Sequence, residues 1–96
     1  MAKGYWIAHI TVRDPEAYKE YVARDTPIIE GFGGRFIVRG GTSVVPEGET
    51  FERHVVIEFP SYAAAREAYD SPAYQEVAAI RQRTADSVVI VVEGAE

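Results

Sequence analysis

The run DSVVIVVE, residues 86–93, constrains the fold more than any other stretch of the chain. Its centre, Val88–Val92, is five consecutive β-branched residues, a composition typical of a strand. Because successive side chains of a strand point to opposite faces, this strand is apolar on both faces. In an antiparallel sheet with one face in water, apolar and polar side chains would alternate along this strand. The sequence therefore predicts a sheet that is covered on both sides.

Three further strands are predicted from segments rich in aromatic and β-branched residues. They are GYWIAHITV at residues 4–12, RFIVR at 35–39 and FERHVVIEF at 51–59. A long connection, residues 40–50, contains glycine and proline and separates the second strand from the third.

Two helical regions lie between the strands. The first begins with Asp14 as N-cap and Pro15 at the first helical position, and it ends at residues 33–34, Gly-Gly. Pro27 inside it predicts either a kink or a restart with Thr26 as the new cap. The second region has Ser61 as its cap, and a second cap-plus-proline pair at residues 71–72 divides it near residue 70.

The predicted order is βαββαβ, the ferredoxin-like arrangement of the α+β class, with four antiparallel strands and the helices on one face. Its 96 residues suffice for one domain, residues 1–96, and are too few for two. On strands 1 to 3 one set of alternating residues is apolar and is expected beneath the helices: Trp6, Ala8, Ile10, Val12, Phe36, Val38, Val55, Ile57 and Phe59.

The other set mixes apolar with polar side chains and is expected on the helix-free face. It includes Ile7, Ile37 and Val56 together with His9, Arg39, His54 and Glu58. Since no predicted element remains to cover this face, a second copy packed sheet against sheet is the economical solution. The expected partner is therefore a homodimer formed through the helix-free face.

Composition excludes several classes of function. A net charge of −5 argues against a nucleic-acid partner, because such proteins usually present a basic face. No apolar run approaches the roughly 20 residues of a membrane span, and the first ten residues do not resemble a signal peptide. The chain has no cysteine, which excludes disulfides and thiolate metal sites. We therefore expect a soluble, cytoplasmic protein with no membrane partner, no cofactor and no bound metal.

Arg39 and His9 are the leading candidate site residues. Arg39 is expected to enter the helix-free face, where it would either clamp an anion or form an ion pair with Glu58. His9 is either a general base or a hydrogen-bonded interface histidine. A metal site of His9, His54 and Glu58 is disfavoured, because His54 and Glu58 lie toward opposite ends of their strand.

Other polar residues have both a functional and a local interpretation. Tyr69, Ser71 and Tyr74 would line a pocket mouth, or else Ser71 caps a helix and the tyrosines pack with their hydroxyls at the surface. Trp6, Tyr18 and Tyr21 are expected in the core. Arg81 and Arg83 are expected to be solvated or paired with helix-end carbonyls.

The stretch GGRFIVRGG, residues 33–41, resembles a phosphate-binding loop only in its glycine content. It lacks the lysine and hydroxyl residue that end such a loop, and its glycines are explained as turns at both ends of a strand.

Five segments in order resemble a family of small proteins, domain of unknown function 1330, in the dimeric α+β barrel superfamily. They are GYWIA (4–8), DPEAYKEY (14–21), GGRFIVRGG (33–41), VVIEFPSY (55–62) and YDSPAYQ (69–75). The resemblance implies a ferredoxin-like fold and a homodimer formed across the sheets. The superfamily includes cofactor-independent monooxygenases, isomerases, haem-degrading enzymes and stress-related proteins, whereas this family has no established reaction.

Two functions are therefore carried forward. The first is a cofactor-independent enzyme for proton transfer or oxygenation, acting on a small anionic or aromatic molecule in a pocket between sheet and helices. His9 would be its base and Arg39 its anion clamp, and the further ligand contacts would be His54, Glu58, Tyr69, Ser71 and Tyr74. The alternative is a non-catalytic ligand-binding or structural homodimer.

Overall fold

A computed structural model describes residues 2–95 of the chain, which form four strands and three helices. The elements are β1 (Gly4–Val12), α1 (Pro15–Gly31), β2 (Arg35–Arg39), β3 (Arg53–Phe59), α2 (Tyr62–Asp70), α3 (Pro72–Thr84) and β4 (Ala85–Glu93). This confirms the predicted order and the division of the second helical region, while β3 begins two residues later than predicted. None of the helices within residues 2–95 is long and apolar enough to cross a membrane.

The strands form one antiparallel sheet in the order β2-β3-β1-β4. The central strand β1 pairs with both β3 and β4, so that Ala8 stands between Val55 and Val89. The helices cover one face, as the ferredoxin-like fold requires, and the α+β prediction is confirmed.

The core lies between the sheet and the helices and is centred on Trp6. The indole of Trp6 donates to the carbonyl oxygen of Ala65 at 2.8 Å, and its ring lies 5.2 Å from that of Phe59 and 4.8 Å from that of Tyr74. The predicted burial of Trp6, Tyr18 and Tyr21 is confirmed. Because aromatic rings from both helices and sheet meet here, this packing fixes the helices over β1.

Helix α1 begins as predicted, with the Asp14 carboxylate accepting from the Ala17 amide at 3.2 Å. It runs through Pro27 without interruption, so the alternative of a restart at Thr26 is wrong. The Thr26 hydroxyl instead donates to the Val22 carbonyl oxygen at 2.8 Å. The predicted glycine stop is confirmed, because Gly33 adopts φ +86°, the left-handed region that favours glycine.

Strand β2 contains an irregularity that changes which side chains face the helices. Phe36 pairs with Ile57, but the next partner of Val56 is Val38, so Ile37 is an extra residue on this edge strand. Such a β-bulge reverses the alternation beyond it. Val38 is thereby placed on the helix-free face and Arg39, which pairs with Val55, on the helix side. The predictions for these two side chains, made from strict alternation, are therefore wrong.

The helix-free face carries apolar side chains that no element within residues 2–95 covers. Val88 is 47% exposed and Ile90 is 42% exposed, both on β4, while Ile37 and Val38 are similarly exposed on β2. Isolated exposed apolar residues are common, but a patch extending across a sheet is characteristic of an interaction surface.

Candidate functional site

A cavity lies between the helix-covered face of the sheet and helices α1 and α3. The space between its protein atoms is about 430 Å³ when the mouth is included. The centre of a water molecule can occupy only about 30 Å³ of that space. The lining residues are Trp6, Ala8, Ile10, Tyr18, Tyr21, Val22, Asp25, Phe36, Arg39, Arg53, Val55, Ile57, Tyr74, Arg81 and Val89. In this form the cavity has room only for a molecule of a few atoms.

Three arginines from three different elements line this cavity. Arg81 of α3 is only 4% exposed, and Arg53 at the start of β3 is half-buried. Both have a buried Nε that lacks a hydrogen-bond partner within residues 2–95. Arg39 is exposed and lies at the rim, where its guanidinium stacks on Phe36 and donates to the Thr26 hydroxyl at 2.6 Å. The buried Nε donors of Arg53 and Arg81 lower the stability of the fold unless an acceptor pairs with them.

The sheet register brings Arg53 and Arg81 to the same end of the cavity. Arg53 and Ser87 are the two partners of Ile10 across the sheet. The Arg81 guanidinium donates to the hydroxyl of Ser87. None of the ion pairs formed within residues 2–95 involves Arg39, Arg53 or Arg81.

The glycines after β2 serve this arrangement. Gly40 adopts φ +68°, and a Cβ added there would collide with the Arg53 guanidinium. The stretch GGRFIVRGG therefore contributes to the cavity in two ways. Its β-bulge turns Arg39 toward the cavity, and Gly40 leaves space for the Arg53 side chain. Its glycines end a helix and accommodate a side chain, and they do not cradle a phosphate.

Within residues 2–95, Asp25 is the only carboxylate that lines the cavity. It is 5% exposed, and its Oδ1 lies 3.2 Å from the Thr26 hydroxyl. Burial raises the pKa of Asp25 to about 6, against the opposing effects of the Thr26 hydroxyl and the Arg39 charge. Asp25 therefore retains its proton more readily than an ordinary aspartate.

Tyrosine hydroxyls supply the remaining polar groups of the cavity. The hydroxyls of Tyr21 and Tyr74 lie 2.7 Å apart and are buried. Burial raises the pKa of Tyr21 well above its ordinary value and also raises that of Tyr74. Both hydroxyls therefore remain protonated near neutral pH; one donates to the other, and the proton of the second hydroxyl is left to donate elsewhere. With three guanidinium groups facing one carboxylate, the cavity is suited to a small anion.

The structure brings two of the predicted site residues, Arg39 and Tyr74, to this cavity. Ser71 accepts from the Tyr74 amide at 3.2 Å and donates to the Ala68 carbonyl oxygen at 2.8 Å, so its hydroxyl serves the helix junction. Tyr69 packs edge-on to Trp6 and lines a separate, open depression beside Arg81.

The other three predicted site residues lie on the opposite face of the sheet. His9 and His54 are direct cross-strand partners, with their Nδ1 atoms 2.9 Å apart. Glu58 accepts from Arg35 at 3.1 Å, so the predicted Arg39–Glu58 ion pair is wrong. Neither histidine nor Glu58 can contact a molecule in the cavity of the same chain. Among residues 2–95, no three histidine or acidic side chains are grouped to hold a metal.

Three charged residues of the cavity did not emerge from the sequence as site candidates. Asp25 follows Tyr21 by four residues on the buried stripe of α1, and an acid at that spacing is a usable signal. Arg53 has the same parity as Val55 and Ile57, so it extends the helix-facing set by one charged residue. Arg81 was expected to be solvated or paired with helix-end carbonyls. Both alternatives are wrong, because Arg81 is buried at the cavity and donates to the Ser87 hydroxyl of β4.

The fold and cavity together define a ferredoxin-like α+β protein with a cationic cavity between its sheet and helices. The chain belongs to the family described as domain of unknown function (DUF1330), whose sequence model matches residues 3–95. None of the curated proteins matches the sequence.

Several solved structures share this fold. A protein of unknown function from Rhodopseudomonas palustris, RPA0582, is 24% identical, with a TM-score of 0.78 over 99% of this chain and 84% of its own. SnoaB, a cofactor-independent oxygenase from Streptomyces nogalater, is 14% identical, with a TM-score of 0.67 over 100% and 96%. A dimeric ferredoxin-like protein of unknown function from Thermobifida fusca is 14% identical, with a TM-score of 0.58 over 95% and 90%. At these identities the likeness shows the fold alone.

Proposed function

We propose that the protein binds a small carboxylate in the cavity between sheet and helices and acts on it without a cofactor. The observation that supports this most directly is the pair of buried Nε donors on Arg53 and Arg81, which no carboxylate of residues 2–95 pairs with. Guanidinium groups bind carboxylates through two parallel hydrogen bonds. An anion between the two arginines would satisfy both donors.

Proton transfer is the reaction that the lining residues favour. They offer one carboxylate, Asp25, and the protonated hydroxyls of three tyrosines as acid–base and hydrogen-bonding groups: Tyr18, Tyr21 and Tyr74. SnoaB is a cofactor-independent oxygenase with the same fold, which makes oxygenation the second candidate reaction. The position of His9 across the sheet disfavours it as the base for a ligand in this cavity.

We further propose that the protein is a homodimer through its helix-free face. The exposed valines and isoleucines of β2 and β4 would be buried against a second copy, and the related protein from Thermobifida fusca is dimeric. The hydrogen bond between His9 and His54 favours an interface role for these two histidines.

Isothermal titration with oxalate tests the binding proposal, because this planar dicarboxylate is small enough for the cavity and chemically inert. We expect saturable binding to the wild type, weakened about 10- to 100-fold by Arg81→Met, since a charged hydrogen bond is lost. The matched control is Arg83→Met, two residues along the same helix and exposed.

Thermal unfolding without oxalate separates this role from a structural one. If Arg81 serves binding, replacing it by the apolar methionine leaves the melting temperature unchanged or raises it, because a buried charge that has no ion-pair partner within residues 2–95 is removed. A lower melting temperature with unchanged oxalate affinity would contradict the proposal.

A further inference from the structure

We infer that Asp25 is the general base that removes a proton from carbon in the bound molecule, whose class is a small enolisable carboxylate such as a 2-oxo acid. This inference rests on the proposed function of the cavity. It adds a catalytic residue and a substrate class, both of which follow from where Asp25 lies relative to the arginines.

The position of Asp25 is difficult to explain by stability alone. It lies in the third turn of α1, too far from the helix start to act as a cap, and it faces the cavity. A buried carboxylate usually forms an ion pair, yet Asp25 forms none with the three arginines around the same space. It is thus positioned to react with a molecule that the arginines hold.

The surroundings of Asp25 also suit a base that works near neutral pH. Burial raises its pKa to about 6, opposed first by the Thr26 hydroxyl, then by Arg39, the Tyr21 hydroxyl and Arg53. Asp25 is therefore ionised near neutral pH and more basic than an exposed aspartate, the combination that favours general-base catalysis.

The proton transfer from carbon to Asp25 requires neither an oxidant nor a second reactant. The substrate carboxylate is bound by Arg53 and Arg81, and the Asp25 carboxylate takes a proton from the carbon next to the substrate carbonyl. The C–H electron pair forms a C=C bond, and the carbonyl oxygen becomes an enolate that accepts a hydrogen bond from the Tyr21–Tyr74 hydroxyl pair. Asp25 then returns the proton to that oxygen, which gives the enol tautomer, or to the same carbon, which regenerates the 2-oxo acid and leaves solvent exchange as the only net change.

Exchange of the methyl protons of pyruvate in D₂O, followed by proton NMR, tests the inference directly. Because pyruvate has nearly the shape of oxalate, we expect it to displace oxalate from the cavity. We expect exchange above the buffer rate with the wild type and a loss of about 100-fold or more in Asp25→Asn. The wild-type rate should fall as the pH is lowered through about 6. Glu30→Gln, an exposed change on the same helix, is the matched control and should keep the wild-type rate.

Oxalate titration distinguishes a failure of the proposed role of Asp25 from a failure of the binding proposal. Asp25→Asn should bind oxalate at least as tightly as the wild type, because a repelling carboxylate is removed; this also shows that the variant folds. Pyruvate that displaces oxalate without any catalysed exchange would overturn the role of Asp25 and leave the binding proposal standing. Equal exchange in Asp25→Asn and the wild type would also overturn it. Absence of both oxalate and pyruvate binding would overturn both proposals.

Discussion

Burial decides what the charged residues of this chain do. Arg81 and Arg83 are two positions apart on α3, yet the first is buried at the cavity and the second is exposed. Likewise, Asp25 differs from the exposed acids of α1 because the sheet and α3 remove it from water. A charge that is removed from water without a partner lowers stability, so such residues are more readily explained by function.

The raised pKa of Asp25 predicts a pH-dependent stability difference between Asp25→Asn and the wild type. Between the ordinary value of 3.8 and the folded value of about 6, the folded state holds the proton more tightly than the unfolded state. The stabilisation that this gives is complete below the lower value and is lost as the pH rises through about 6. At about pH 7.5 the asparagine variant should therefore be more stable by about 2 to 3 kcal/mol.

Urea unfolding of the ligand-free proteins at a series of pH values measures this difference. The advantage of Asp25→Asn should shrink as the pH falls through about 6 and should approach zero only below 3.8, where the wild-type carboxyl becomes neutral in both states. Glu30→Gln should show no such trend. A difference that stays constant across this pH range would refute the assigned shift.

At the scale of the elements, Ser71 joins α2 to α3. Its hydroxyl donates to a carbonyl at the end of α2 and accepts from an amide in the first turn of α3. We expect Ser71→Ala to lower the free energy of unfolding by about 1 kcal/mol, the usual loss of an N-cap. Oxalate affinity should hardly change, because Ser71 does not line the cavity. Ser43→Ala, in the exposed connection, is the control, and a large loss of affinity with unchanged stability would restore Ser71 as a ligand contact.

The bulge in β2 predicts an unusual response to deletion. Strict alternation predicts that removing Ile37 would reverse the faces of Val38 and Arg39. Since Ile37 is the extra residue, its deletion instead leaves Val38 opposite Val56 and Arg39 opposite Val55. We therefore expect the deletion to keep oxalate affinity within about threefold and stability within about 1 kcal/mol. Loss of binding comparable to that of Arg39→Ala would show that the deletion had shifted the register.

At the scale of the whole molecule, the apolar helix-free face predicts a dimer that one charge can break. Ile90 lies in mid-strand on β4, opposite Ile7 of β1, and is 42% exposed. Burying a lysine ammonium at this position would be costly, so Ile90→Lys should dissociate the dimer.

Light scattering over a wide concentration range provides the measurement. The wild type should have twice the 10.6 kDa mass of the chain, and Ile90→Lys the mass of a single chain. Val44→Lys, at an 83% exposed position in the connection between β2 and β3, should remain dimeric. A monomeric wild type at every concentration would contradict the proposed interface.

Sequence alone was sufficient for the order of elements, because caps, prolines and side-chain periodicity act over a few residues. Asp14, Ser61 and Ser71 cap the helices as predicted, and the core positions of β1 and β3 follow from alternation. Val88–Val92 similarly indicated an apolar helix-free face, since a strand displays its composition on both sides.

The cavity was decided only by the tertiary structure. The direction of Arg39 depends on an extra residue in the pairing of β2 with β3, which side-chain periodicity does not reveal. The burial of Asp25 and Arg81 depends on how α1 and α3 pack over the sheet. The placement of Arg53 and Arg81 at the same end of the cavity depends on strand register. Local patterns determine which elements form, but the environment of a charge depends on residues distant in the chain, and that environment determines its chemistry.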